Sequence, residues 1–517
     1  MSAPGAALPP LEGSTRVMGT LALSAATFMN VLDSSIANVS LPAISGDLGV
    51  SPVQGTWVIT SFAVANAIAV PLTGWLTQRL GTVRLFITSV LLFVVFSWLC
   101  GLAPNMTTLI AFRALQGFVA GPMIPLSQTL LLSSYPRAKA GMAMAMWSMT
   151  TLVAPIMGPL LGGWITDNVS WPWIFYINVP VGLASAAMTW LIYRERESAT
   201  RKVPIDAVGL ALLVIWVGSL QLMLDKGKEL DWFHSPLIIT FAVVAVVGLA
   251  YFLIWELTEE HPVVDLSLFK RRNFWAGALA TAVGYGLFFA NVVLLPLWLQ
   301  QYMGYTATMA GLVMAPVGLL AIVLSPIVGL TVSRVDPRWY ASFAFAVFAV
   351  VMWMRSQFTV QTDFETILVP TLVQGVAMAF FFVPLVTITL SGLDPSRIPA
   401  ASGLSNFTRI TAGAMGTSIS TTLWEDRAAM HHAQLVEAVR YGRLPAERAL
   451  EQMQAAGMSH EQALATINNL VTQQAFMLST QEIFYASALL FAALIGLVWL
   501  ARRREGAVDA GAAAGAH

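Results

Sequence analysis

Residues 236–255 read PLIITFAVVAVVGLAYFLIW, twenty residues without a single charged side chain. The hydrocarbon core of a bilayer is about 30 Å thick, and a helix needs about 20 apolar residues to cross it with every backbone polar group paired. The same template fits this chain fourteen times, from Val17–Leu41 to Ile483–Leu500. The sequence therefore predicts an all-α membrane protein with 14 transmembrane helices.

The composition of the whole chain agrees with lipid as its main solvent. Of 517 residues, 57% are hydrophobic and 10% charged, and the mean hydropathy is +0.72. The 27 basic and 27 acidic residues cancel, which argues against nucleic acid as a partner. Cys100 is the one cysteine, and the adjacent His431 and His432 lack the i, i+4 spacing of a helical metal site. We expect no metal and no cofactor.

Lys and Arg residues set the expected orientation, because they accumulate in cytoplasmic loops. With the N-terminus in the cytoplasm, most of the 27 basic residues fall on the cytoplasmic side, including Arg194, Arg196, Lys270 and Arg502. The sequence thus predicts cytoplasmic tails at residues 1–16 and 503–517.

One predicted external segment, residues 425–479, is long, polar and helix-prone. Residues 427–440 and 446–469 read as amphipathic helices with Gly457 between them. Two interpretations stay open: a link that folds on its own surface, or a docking surface for a periplasmic partner.

The two halves of the chain repeat one another. Gln116-Gly117 in predicted span 4 recurs as Gln374-Gly375 in span 12, and Asn38-Val39 in span 1 recurs as Asn291-Val292 in span 9. A parallel repeat of this kind predicts two six-helix bundles that face one another across a central cavity, with an inserted helix pair. The expected division is 17–193 for the N-terminal bundle, 194–256 for the inserted helices 7 and 8, and 257–502 for the C-terminal bundle.

Asp33 is the acidic residue near the middle of a predicted span. On a helical wheel it shares a polar stripe with Thr27, Asn30, Ser34 and Asn38, and we expect that stripe to face the cavity. A charged side chain at the bilayer centre costs about 3 kcal/mol or more, so Asp33 can exchange a proton with whichever side wets it. The alternative is a carboxylate held only by structural hydrogen bonds.

Two arginines also lie within predicted spans. Arg113 shares an arc of span 4 with Gln116, and a guanidinium at this depth must be paired or wetted. It either couples to proton transfer or makes a fixed structural pair. For Arg409 in span 13, substrate contact and a simple interface position are equally consistent with the sequence.

Span 5 carries small residues at i, i+4 spacing, Ala154, Gly158 and Gly162, with prolines among them. Small residues at this spacing let another helix approach closely, and prolines favour a bend. Tight packing alone explains much of the pattern.

Several motifs resemble the major facilitator superfamily. The segment 74–85, GWLTQRLGTVRL, is similar to the loop that holds one bundle against the other in that family, with Gln78 where an acidic residue is usual. Residues 113–117 resemble its proton-transfer motif, residues 158–163 its antiporter motif, and residues 32–42 the helix 1 signature of its fourteen-helix drug:proton antiporters. The resemblance implies proton coupling by Asp33 and Arg113. It implies conformational gating by Gly74, Arg79, Gly81, Arg84, Gly158, Pro159 and Gly162.

Residues 121–128 and 404–409 are similar to inner-membrane pumps of the EmrB type. This resemblance implies a proton-coupled exporter of hydrophobic uncouplers, quinolone-like acids or fatty acids in a bacterial cell inner membrane. It also implies two partners, a periplasmic membrane-fusion adaptor (EmrA-type) and an outer-membrane channel (TolC-type). The polar residues expected in the substrate cavity are Asn30, Asn38, Gln116, Gln128 and Arg409. An importer or exporter of a specific metabolite on the same fold is the alternative, whereas the absence of HExxH and GxSxG argues against a membrane enzyme.

Overall fold

The structure is a computed structural model and describes residues 9–50, 52–136, 139–201, 204, 206–305, 307–332, 334–438 and 444–502. Throughout that part of the chain the regular structure is helical, without strands, as the sequence predicts. The helices are α1 Gly13–Asp47, α2 Trp57–Leu80, α3 Thr82–Gly101, α4 Met106–Ser134, α5 Ala140–Asn168, α6 Trp173–Tyr193, α7 Ala207–Lys226, α8 Pro236–Thr258, α9 Arg272–Tyr302, α10 Met309–Thr331, α11 Pro337–Arg355, α12 Phe364–Thr389, α13 Ile398–Ala438, α14 Leu444–Ala455 and α15 His460–Val498. The predicted tail 503–517 lies outside the described residues.

Eleven of these helices are long and apolar enough to cross a membrane, counting only described residues. Predicted spans 1, 5 and 13 correspond to α1, α5 and α13, which are 35, 29 and 41 residues long but are not among the eleven. Polar side chains such as Asp33 in α1 and Arg409 in α13 interrupt the apolar character of two of them. Fourteen spans therefore remain a prediction.

The two groups of helices pack in the same pattern. In the N-terminal bundle, α1 packs on α4, α5 and α6, α2 packs on α4, and α3 packs on α4 and α6. In the C-terminal bundle, α9 packs on α12, α13 and α15, α10 packs on α12, and α11 packs on α12 and α15. Each of these contacts in one group has its counterpart in the other, as the sequence repeat predicts.

Close glycine contacts fix the register of this repeat. Gly117 of α4 lies against the carbonyl of Phe62 in α2, and Gly375 of α12 lies against the carbonyl of Val317 in α10. Gly375 follows Gly117 by 258 positions, and Val317 follows Phe62 by 255. The predicted pairing of Asn38 with Asn291 stays a prediction. Asn291 is fully buried like Asp33, whereas Asn38 is exposed.

The bundles touch at the end where α2 and α10 finish and where α5 and α13 begin. Gly403 of α13 lies near Val70 in α2, since a Cβ on Gly403 would stand 3.0 Å from the Val70 carbonyl oxygen. Gly141 of α5 meets Gly329 of α10 across the same interface. Small residues thus let the two backbones approach closely at this end of the molecule.

Residues 425–479 are largely helical, because α13 continues to Ala438 and α15 already begins at His460. Arg427 bonds Glu482 at 2.7 Å, and His431 lies 3.0 Å from the same carboxylate, so the two long helices are tied together. Gly457 has a φ of +93° and separates α14 from α15, so the predicted helix 446–469 is interrupted within its length. The name hairpin is used below for residues 425–438 and 444–479.

Candidate functional site

Asp33 lies inside the N-terminal bundle with none of its surface exposed. Its Oδ2 accepts a hydrogen bond from Arg113 Nη1 at 2.6 Å. Its Oδ1 accepts from Gln116 Nε2 at 3.1 Å and from Asn178 Nδ2 at 2.7 Å. Three helices, α1, α4 and α6, therefore converge on one carboxylate.

Arg113 is 1% exposed and has further partners that hold it in place. Its Nε donates to the Val58 carbonyl at 3.1 Å, and its Nη1 also donates to Gln116 Oε1 at 2.8 Å. The guanidinium lies 4.3 Å from the centroid of the Phe62 ring. Because removal of one member of a buried ion pair leaves the other charge uncompensated, breaking such a pair costs about 3–5 kcal/mol.

The sequence predicted Asp33, Arg113 and Gln116 but missed two members of this cluster. Asn178 at the start of α6 donates to Asp33 and also to Ser97 Oγ at 3.0 Å. Ser97 of α3 in turn donates to the Phe175 carbonyl at 2.9 Å. An asparagine within a predicted span was the available signal, since a buried amide needs partners.

Thr27 and Asn30 of the polar stripe of α1 face α4 in this conformation. Thr27 donates to Ser127 Oγ at 2.9 Å, and Asn30 donates to the Ala120 carbonyl at 3.2 Å. Asn30 and Gln116 are 3% and 0% exposed, so neither lines a cavity in this conformation. Buried polar side chains need hydrogen-bond partners, and here the neighbouring helix supplies them.

Gln128 of α4 and Arg409 of α13 lie together between the bundles. Asn406 of α13 connects them, donating to Gln128 Oε1 at 2.9 Å and accepting from Arg409 Nη2 at 2.9 Å. They line a cavity of about 10 Å³ that Trp147 and Ser402 also border. That volume holds about one water molecule, so a drug-sized compound requires the bundles to separate.

Aromatic rings surround the Arg409 guanidinium. Its central carbon lies 4.6 Å from the Tyr285 centroid, 5.6 Å from Phe382 and 5.9 Å from Trp147. Among the described residues no carboxylate lies within ion-pair distance of it, and its Nε has no hydrogen-bond partner. A buried cation among ring faces is suited to contact both apolar and anionic groups.

Gly74 makes the predicted contact between the bundles. A Cβ at this position would stand 2.6 Å from Ala400 Cβ and 2.8 Å from Ala400 Cα on the facing helix α13. Only glycine allows this approach without movement of the backbone.

The other loop residues act within the N-terminal bundle. Gly81 has a φ of +90° and starts α3, whose first amides on Val83 and Arg84 donate to the Glu197 carboxylate at 3.0 Å and 2.9 Å. The Arg79 guanidinium lies 5.5 Å from the Trp75 ring centroid. A carboxylate from beyond α6 thus caps this helix, where an anion is favourable.

The small residues of α5 form the groove that the spacing predicts. Gly158 lies against Ser35, and a Cβ at Gly162 would stand 2.7 Å from Ile36 Cγ1 and 2.9 Å from its carbonyl oxygen. The side chain of Pro159 lies outside the described part of the structure. The groove explains why α1 and α5 pack along much of their length.

Comparison with known proteins agrees with this architecture. The chain is 54% identical to "Multidrug export protein EmrB" of Escherichia coli (strain K12) over 509 residues, 98% of this chain and 99% of the relative. It is 49% identical to "Fatty acid resistance protein FarB" of Neisseria gonorrhoeae over 494 residues, 96% of this chain and 97% of the relative. "Colistin resistance protein EmrB" of Acinetobacter baumannii is 28% identical and covers 80% of this chain and 81% of the relative.

The crystal structure of the human organic anion transporter MFSD10 (TETRAN) has the same fold. It matches 94% of this chain and 98% of its own, with a TM-score of 0.58 at 12% sequence identity. The sequence profile of the Major Facilitator Superfamily matches residues 23–417, well over half of the chain. Together with two similarly packed groups of helices, this match establishes that the chain belongs to the Major Facilitator Superfamily.

Proposed function

We propose that this protein is a proton-coupled antiporter that exports hydrophobic, drug-like compounds, including uncouplers, quinolone-like acids and fatty acids. High identity over nearly the full chain to relatives named for multidrug export and fatty acid resistance supports the cargo class. Three aromatic rings surround the Arg409 guanidinium. This environment suits amphipathic compounds better than sugars.

The buried ion pair of Asp33 and Arg113 is the single observation that carries the coupling. Its carboxylate receives hydrogen bonds from helices α4 and α6, so the charge on Asp33 holds three helices together. Protonation removes that charge and weakens the charge-assisted bonds. A proton reaches Asp33 only when α1 and α4 move apart, because the side chain is sealed from water in this conformation.

The bundles then move between two states around the central interface. In this conformation they are closed where Gly74 meets Ala400, which is the cytoplasmic end in the orientation predicted from Lys and Arg. One proton that falls through 100 mV releases about 2.3 kcal/mol. A factor of ten in concentration corresponds to about 1.4 kcal/mol, so one proton sustains roughly a fortyfold gradient.

The proposed topology has fourteen spans in a bacterial inner membrane, both termini cytoplasmic, and α7 with α8 as the inserted pair. The C-terminal end of α7 contacts both bundles. Asp225 accepts a hydrogen bond from Thr60 of α2, and the Leu224 carbonyl accepts one from Ser418 of α13. Trp232 after α7 donates to Thr422 of α13 at 2.8 Å. These contacts support an inserted pair beside the interface rather than inside either bundle.

Energised inverted membrane vesicles test the proposed function. We expect wild-type protein to accumulate a lipophilic dye or a long-chain fatty acid against its gradient, because inverted vesicles carry out export as uptake. Nigericin with valinomycin, which collapse the proton gradient, should abolish the accumulation. Uphill transport of a sugar or amino acid without any response to hydrophobic compounds would favour the specific-metabolite alternative.

We propose that the hairpin docks the periplasmic adaptor, which connects the pump to the outer-membrane channel. Several large apolar side chains are exposed on it, among them Met458 (40%), Leu464 (47%) and Leu470 (53%). Leu470 also lines a groove of about 350 Å³ with Gln301 and Tyr302 at the end of α9. Exposed apolar patches of this kind are typical of protein interaction sites.

Replacement of Leu464 and Leu470 by Asp tests this surface. We expect the double variant to lose most adaptor recovery in a pull-down, because charge on an apolar contact is strongly unfavourable. Transport in inverted vesicles, which needs no adaptor, should persist. Glu461→Gln, on an exposed residue of the same hairpin, is the matched control and should retain the adaptor. Normal recovery with the Leu464/Leu470 variant would reject the docking site.

A further inference from the structure

Arg355 is a fully buried cation inside the C-terminal bundle, at the last residue of α11. Its Nη2 donates to Gln374 Oε1 at 2.6 Å and to Thr371 Oγ1 at 3.2 Å. Its Nε and Nη1 have no hydrogen-bond partner. Among the described residues no Asp or Glu lies within 4.0 Å of the guanidinium, in contrast to Arg113. Arg355 therefore has a full positive charge and two unused donors.

A buried charge without a counter-charge is costly, and proteins pair it or supply an ion. The end of α11 contributes some negative potential through its last carbonyl groups, but that effect is equivalent to about half an elementary charge. Neutral partners such as Thr371 and Gln374 satisfy hydrogen bonds without compensating the charge.

In the N-terminal bundle an arginine and a glutamine, Arg113 and Gln116, both donate to a carboxylate, that of Asp33. Gln374 occupies the repeat position of Gln116, whose Nε2 donates to Asp33. The Gln374 Nε2 has no partner. Among the described residues no Asp or Glu lies within ion-pair distance of Arg355, so the C-terminal bundle keeps the glutamine of this cluster without a carboxylate beside it.

We propose that Arg355 and Gln374 bind one small monovalent anion of the halide class. Arg355 Nε and Nη1 and Gln374 Nε2 are all donors, and charge-assisted bonds from such groups are the strong ones. A single negative charge balances Arg355, and a halide is small enough to enter without the room that phosphate or sulfate needs. Gln357, two residues after Arg355, is exposed, so the site lies close to the aqueous boundary. The site is independent of the proposed cargo and of proton coupling.

Thermal unfolding of the purified full-length protein tests the proposal. Chloride or bromide is titrated against gluconate at constant ionic strength and pH. Since a ligand that binds only the folded state raises its stability, we expect a saturable rise in Tm of about 5 °C. An unchanged Tm across the titration would overturn the site, and it would mean that water alone occupies these donors.

Two variants separate anion binding from a general salt effect. Gln374→Glu places a carboxylate beside Arg355, so the protein should no longer respond to halide and should be as stable in gluconate as wild type is in chloride. Arg355→Gln removes the charge and should also remove the response. Arg338→Gln at the other end of α11, which breaks an ion pair with Asp336, is the control and should keep the halide response. If Gln374→Glu retains the full wild-type halide shift, the proposed position of the anion is wrong.

Discussion

Asp33→Asn is expected to reduce the uphill accumulation of a lipophilic dye in energised inverted vesicles from roughly fortyfold per proton at 100 mV to no gradient. Asparagine keeps the size of the side chain and can still accept hydrogen bonds, but it cannot release or take up a proton. The driving force is therefore disconnected from the movement of the bundles. Downhill exchange of labelled for unlabelled dye, which needs no net proton movement, should persist.

The variant leaves Arg113 buried without its carboxylate, and this loss is expected to destabilise the fold. The double variant Asp33→Asn/Arg113→Gln removes both charges and so separates instability from lost coupling. It should recover thermal stability without recovering uphill transport. Asp47→Asn, on the exposed last residue of the same helix α1, is the matched control and should transport as wild type does. Full uphill transport by a well-folded Asp33→Asn protein would exclude Asp33 as the coupling residue.

Much of the fold follows from the sequence because lipid imposes one requirement on every span. An apolar run such as 236–255 cannot leave backbone groups unpaired, so its helical state follows directly. The repeat of Gln116-Gly117 in Gln374-Gly375 also predicts which helices correspond, and the contacts of α4 and α12 match it.

Only part of the site could be predicted, because a polar stripe on a helix does not show whether it faces water or another helix. Asp33 and Arg113 could be predicted as site residues because a charged side chain within a span requires a partner. In the structure these two side chains form an ion pair with each other. Thr27 and Asn30 could equally face water or another helix, and the structure directs them to α4. Asn178 gave no periodic signal, because it is a single amide in the first turns of its helix.

Gly74→Val is expected to reduce transport by an order of magnitude or more by preventing closure of one end of the molecule. In this conformation its side chain would overlap both the Cβ and the Cα of Ala400, and the backbone of α13 must move away. Overpacking costs typically about 1–3 kcal/mol, which shifts a two-state equilibrium about 5- to 150-fold towards the open arrangement. Because alternating access needs both states, a protein held in one of them exchanges little cargo.

A cysteine reporter at Ser405, which lines the small cavity between the bundles, measures this shift directly. The one native cysteine, Cys100, is fully buried, so labelling by a maleimide reports on the introduced residue. Gly74→Val should increase the rate of labelling in inverted vesicles, whose exposed surface is the proposed cytoplasmic one. Gly46→Val is the matched control, because Gly46 is an exposed residue of α1 at which a Cβ would meet nothing within 4 Å. It makes the same substitution without the clash and should leave both labelling and transport unaltered. Equal labelling in the two variants would mean that Gly74 does not control closure, since the clash at Ala400 is the difference between them.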